Sequence, residues 1–162
     1  MSDTEIAPLD PDDPALTAWL LAQGFDGTNL AGSIEHGMTP LMQACRLGHR
    51  DIVDSLIAAG ATLDAVNQDG NNALWLACYH GDPVIIDRLL AHGIAIDHQN
   101  ATGATCLMYA ASSGKSAVVA QLLAAGAQWA LPNQDDLTAL DMAASLECLQ
   151  LLRAASQRRP LP

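Results

Sequence analysis

The sequence predicts an all-α solenoid: stacked helix–turn–helix units with β-hairpin loops between them, capped at both ends. Three observations predict it. Glycines recur at a spacing of 33 residues, at Gly37, Gly70 and Gly103, then at Gly48, Gly81 and Gly114, then at Gly60, Gly93 and Gly126. Leu41, Leu74 and Leu107 keep the same register, as do Ala44, Ala77 and Ala110. Half of the residues are apolar but only 4% are aromatic, so the apolar mass is mostly Ala and Leu, which suits closely packed helices. A fixed period of this length marks units that bury their apolar faces only against their neighbours.

The elements follow in order. Residues 1–12 are acidic, contain Pro8 and Pro11, and read as a flexible leader. Residues 13–36 read as an N-terminal capping half-repeat and a loop. Asp13-Pro14 supplies an N-cap and a first helical residue, Leu16, Trp19, Leu20 and Leu21 are expected on one broad face, and Gly24 suits a left-handed stop. The loop from Phe25 to His36 is three residues longer than its counterpart after Gly60, and is expected to bulge from the stack.

Three full repeats are expected over 37–133. In each, a capping residue (Thr39, Asn72, Thr105) opens the first helix, and a mid-unit glycine ends it. The second helix carries an i, i+1, i+4, i+5 apolar stripe: Ile52, Val53, Leu56 and Ile57 in the first unit, with equivalents at Ile85, Ile86, Leu89 and Leu90 and at Val118, Val119, Leu122 and Leu123. Asp64 and Asn67 are turn formers in the connecting finger. Residues 134–155 continue the pattern with Thr138, Leu140 and Ala143, but Glu147 stands where the mid-unit glycine belongs. That unit reads as a C-terminal cap with a polar outer face and a shortened second helix through Leu149, Leu151 and Leu152, followed by a tail over 156–162.

The string GMTPL, then Ala44, then GHRDIV and LIAAGA, resembles the ankyrin repeat, and the resemblance covers residues 34–155. It implies two antiparallel helices and an outward hairpin per unit, a concave face made by inner helices and finger tips, and a non-catalytic protein-binding role. The sequence departs from the family pattern at Pro40, which becomes Ala73, Cys106 and Ala139, and at the position after the leucine, which holds Met42, Trp75, Met108 and Asp141.

Composition narrows the function. The formal net charge is -11, with one lysine, Lys115, and six arginines. Such a surface repels a phosphate backbone, which argues against nucleic acid, and attracts a basic protein segment. Acidity that serves solubility alone is the bland alternative. No apolar run reaches the roughly 20 residues that span a bilayer. No phosphate-cradling loop, nucleophile elbow or zinc-binding spacing is present, so no catalytic residue, metal or cofactor is expected. The acid pairs Asp12–Asp13 and Asp135–Asp136 fall in a leader and a turn, without the burial that would tune them for acid–base work. His49 falls in the GH element of the ankyrin resemblance, which implies a structural hydrogen-bond partner. Cys45, Cys78, Cys106 and Cys148 read as buried reduced thiols, and with no basic, apolar signal segment at Met1 they point to the cytoplasm.

If the family geometry holds, Met42, Trp75 and Met108 form one inward row, and Arg46, Tyr79 and Ser112 a second, with His80 beside them and Met38 and Asn71 at the finger tips. Trp75 and Tyr79 lie four residues apart and share a helix face, and both types are over-represented among residues that dominate binding energy. The expectation is a monomeric adaptor or inhibitor that binds another protein, one carrying a basic segment, through this patch. A self-assembling structural subunit and a cysteine-dependent metal or redox protein are the alternatives, and packing of Trp75 between repeats is the alternative for that residue.

Overall fold

The computed structural model describes residues 13–27 and 29–158. The leader over 1–12 and the last residues of the tail lie outside them. The described chain forms α1 (Pro14–Ala22), a short 3-10 turn (Glu35–Gly37), α2 (Pro40–Leu47), α3 (Arg50–Ala58), α4 (Ala73–His80), α5 (Pro83–Ala91), α6 (Cys106–Ser112), α7 (Ser116–Ala124), α8 (Ala139–Met142) and α9 (Leu146–Gln157). The inner helices α2, α4, α6 and α8 pack side by side, the outer helices α3, α5, α7 and α9 back them, and α1 packs on α3.

The helix starts follow from the capping residues. Thr39, Asn72, Thr105 and Thr138 each accept a hydrogen bond from the backbone N–H three residues on, and Asp13 does the same for α1. The core repeats with the sequence. Leu41, Leu74 and Leu107, Ala44, Ala77 and Ala110, and Leu56, Leu89 and Leu122 are all buried, so each unit shares its apolar layer with the next. Each leucine contributes about 1.5–3 kcal/mol on burial. The alanines permit the close approach of adjacent inner helices.

The fingers are tight turns, and among the described residues no β-strand forms; an isolated bridge between Ile34 and Met38 is the nearest approach to a hairpin. The β-hairpin detail is therefore not confirmed as strands, although Asn67, Asn100 and Asn133 N–H each bond the carbonyl four residues on. A side-chain device explains the tight turn. Asn67, Asn100 and Asn133 each accept two backbone N–H bonds from residues two and four on, which closes the loop without a ladder. Consecutive fingers are then joined by backbone bonds: Gln68 N–H to His36 O, Ala101 N–H to Asp69 O, and Gln134 N–H to Thr102 O, each at 3.0 Å. Gly70 is required at this seam. Its φ is +78°, and a Cβ there would stand 2.8 Å from the Ala101 nitrogen.

Polar bonds tie the outer layer. Arg50 grips Asp82 through two N–H···O bonds of 2.6 and 3.0 Å, and Arg88 pairs with Asp54. The Arg50 guanidinium holds the Asp82 carboxyl below its ordinary range, and Asp82 also caps α5 at Val84 N–H. Gln121 donates to Pro83 O and to Asp87.

Both ends differ from expectation in detail. In α1, Leu16 and Leu20 are buried, but Leu21 is 60% exposed and points away from the stack. The long loop does not stand clear of the stack along its length. Phe25 and Leu30 enter the core, and Phe25 stacks on Trp19 at 6.3 Å. In the last unit the second helix is lengthened rather than shortened: α9 has 12 residues, and the four-residue α8 is the truncated element. Without a glycine at position 147 the chain cannot take the left-handed stop there. It breaks earlier, at Ala143 and Ala144, where Ala144 N–H bonds Ala111 O, and Ser145 caps α9 at Cys148 N–H.

Candidate functional site

The hollow of the stack is floored by inner helices of only four to eight residues. Each such helix is flanked by its neighbours and backed by an outer helix, so few of its positions meet solvent. Arg46, Tyr79 and Ser112 occupy one exposed row. The neighbouring row is Gln43, Leu76 and Tyr109, in which Tyr109 is partly exposed.

This arrangement corrects part of the expected site. Met42 and Met108 are each 1% exposed and belong to the core, because their position faces the adjoining inner helix rather than the hollow. Met38 and Asn71 are also buried. The Met38 sulfur accepts from Asn67 Nδ2 at 3.6 Å, and Asn71 Oδ1 accepts from Asn100 Nδ2 at 2.9 Å, so both act in aligning the fingers. Trp75 occupies the same row as the two methionines, but its indole is too large for the slot and is only partly covered. Trp75 thus packs between repeats against Tyr109, while part of its indole stays uncovered.

Trp75 meets Tyr109 of the next repeat at a centroid distance of 5.1 Å, and Tyr109 meets Tyr79 at 6.3 Å. Tyr109 is tilted by 40° to Trp75 and by 35° to Tyr79, and the rings form one aromatic strip across two repeats. Tyr79 is its most open member, at 53% exposed. Tyr109 was absent from the sequence-derived set. Its signal was there, since it lies three residues before Ser112 and shares that residue's helix face.

The remaining candidates surround the strip. Arg46 is exposed, and its Nε and Nη2 donate to Gln43 Oε1 at 3.2 and 3.1 Å. His80 is exposed and leans over the end of α2, where a Cβ on Gly48 would sit 2.2 Å from its Nε2. Ser112 Oγ donates to its own helix at Tyr109 O, 3.0 Å away. A hollow of about 450 Å³ opens between the first two fingers, lined among others by Glu35, Asp69, Met38, Leu76 and Arg46.

Histidines and cysteines serve the scaffold. Trp19 Nε1–H donates to His49 Nδ1 at 2.9 Å, which ties the capping helix to the first repeat. His98 Nε2–H donates to Gly70 O at 2.6 Å, and His92 Nδ1–H donates to Arg88 O at the end of α5. All four cysteines are free and buried. Burial, then the neighbouring Cys78, pushes the Cys45 thiol well up, and a hydrogen bond with Cys78, then burial, does the same to Cys106. Both therefore stay protonated and weakly nucleophilic at neutral pH. Among the described residues no group of three or more His, Cys, Asp or Glu is placed to hold a metal ion, and no helix is long and apolar enough to cross a membrane.

A family model for ankyrin repeats, built from three copies, matches the chain over residues 10–100, 41–133 and 78–158. A search of the curated proteins finds none that matches. The three overlapping matches together span the helix pairs and fingers. The chain belongs to the ankyrin repeat family.

Proposed function

We propose that this chain is an adaptor or inhibitor that holds a partner protein in its concave face, with the aromatic strip Trp75–Tyr109–Tyr79 as the anchor. Ankyrin repeats are in general protein–protein interaction modules. One observation carries the finer reading: three aromatic rings meet across two adjacent inner helices of a protein that is only 4% aromatic, and the most open of them is not needed to fill the core. Aromatic groups that are rigid and half-desolvated before binding lose little entropy on contact, which is why they dominate interfaces. The acidic finger tips Glu35, Asp69, Asp135 and Asp136 support a partner segment with basic residues. The buried free thiols support a reducing, cytoplasmic setting.

The test is the Tyr79→Ala/Tyr109→Ala double variant, measured against the partner recovered from the native host. Tyr79 is exposed and Tyr109 partly so, and the variant should keep its helical signal while affinity falls by about 2 kcal/mol or more, roughly 30-fold. Equal affinity of wild type and a folded variant would remove the strip from the interface. A self-assembling subunit is the other reading to exclude, and it predicts an elution volume that shifts on dilution.

A further inference from the structure

We infer that the segment bound in this face is charge-segregated, with basic residues on the finger side, acidic residues on the helix side, and an apolar or aromatic ridge between them. The inference rests on the concave-face reading above and adds the partner's chemistry. Three observations carry it. The first is the hollow between the first two fingers. Glu35 and Asp69 stand on its finger side, Arg46 belongs to the inner helix, and Met38 and Leu76 contribute apolar lining. A long basic side chain can lay its methylenes on that lining and set its charge at the two carboxylates.

The second is where the scarce cations lie. The chain has only seven lysines and arginines. Arg50 and Arg88 are consumed by ion pairs with Asp82 and Asp54 on the outer layer. Arg46 and Lys115 are held instead by neutral oxygens: Arg46 by Gln43 Oε1, and Lys115 Nζ by Tyr79 O at 2.9 Å. Lys115 lies against Tyr79 of the strip from the repeat after it, and Arg46 stands in the exposed row of Tyr79 one repeat before it. The third is the opposite rim, where Asp69, Asp135 and Asp136 are exposed at the finger tips. The finger tips thus carry carboxylates and the inner-helix side carries Arg46 and Lys115, with one exposed carboxylate, Glu147, bonded to Ser116 beside Lys115. Complementary potentials on a partner fix its orientation, and like charges facing one another reject it.

A uniformly basic segment and a charge-segregated one make opposite predictions for Arg46 and Lys115. Selection of phage-displayed random 12-residue peptides on the full chain distinguishes them. Wild type should recover peptides that carry Lys or Arg toward one end and Asp or Glu toward the other, around an apolar or aromatic centre. Those peptides, made synthetically, should bind the Arg46→Glu/Lys115→Glu variant at least tenfold more weakly, and the milder Arg46→Gln/Lys115→Gln variant more weakly by a smaller factor. Both are exposed or partly exposed positions, and circular dichroism checks the fold. Peptides that are basic throughout, and that bind the charge-reversed variant as well or better, would overturn the inference and leave the concave site standing. Peptides whose binding survives Tyr79→Ala/Tyr109→Ala would overturn both.

Discussion

Asn100→Ala is the perturbation that most directly probes how the fingers are held in line. Its side chain makes four hydrogen bonds. Oδ1 accepts from Thr102 N–H at 3.0 Å, from Ala104 N–H at 3.0 Å and from the Thr102 hydroxyl at 2.9 Å, and Nδ2 donates to Asn71 Oδ1 at 2.9 Å in the preceding finger. The bonds to Ala104 and Asn71 are part-buried, and each is worth about 1 kcal/mol net. The two exposed bonds add a few tenths each, because water replaces them. The expected loss is therefore about 2–3 kcal/mol, or roughly 5–10 °C in Tm for a chain of this length. Urea unfolding followed by helical ellipticity measures it, and the slope with denaturant should stay constant if only stability changes. A loss below about 0.5 kcal/mol would refute the claim that the asparagine device closes each finger and joins it to the next.

Three further outcomes are expected. Gly70→Ala forces a side chain into a left-handed backbone at φ +78° and against the Ala101 nitrogen, so it should cost at least about 1–2 kcal/mol, read by thermal unfolding; a neutral result would mean the fingers are not in contact. Met108→Ala should lower stability by about 2–5 kcal/mol, because the side chain is core, while the affinity of the fraction that remains folded stays at the wild-type value; calorimetry on the folded protein separates the two. The stability difference between wild type and Asp82→Asn should depend on pH. The folded carboxyl titrates below its unfolded value, so its contribution is present at neutral pH, begins to fall near the unfolded value of about 3.9, and is lost as pH drops through the folded value. A difference that grew with acidification would contradict the Arg50–Asp82 pairing.

The architecture was legible because each repeat writes the same instructions at the same spacing. The capping residues Thr39, Asn72, Thr105 and Thr138 and the buried leucines recur as the sequence implies, since each acts within its own unit or on the next. The hollow was harder to read. A period of 33 aligns equivalent residues but does not say which side of a short helix is open. That depends on the direction from which the neighbouring helix packs, and the row of Met42 and Met108 proved to be the packed one. Trp75 escapes it through size alone, and Tyr109 becomes part of the strip only through a contact between repeats. The last unit failed for a related reason. Glu147 signals the missing glycine, but where the chain then turns is set by Ser145 as a cap and by Ala144 bonding to Ala111 in the unit before.

The account stands on the direction in which Tyr79 faces a bound partner. Photo-crosslinking with benzoylphenylalanine in place of Tyr79, and separately in place of the exposed outer-layer residue Ala91, measures this in solution with the full chain. The account predicts a covalent adduct with the partner from position 79 and none from position 91. An adduct from position 91 with none from position 79 would place the partner on the convex side and contradict it.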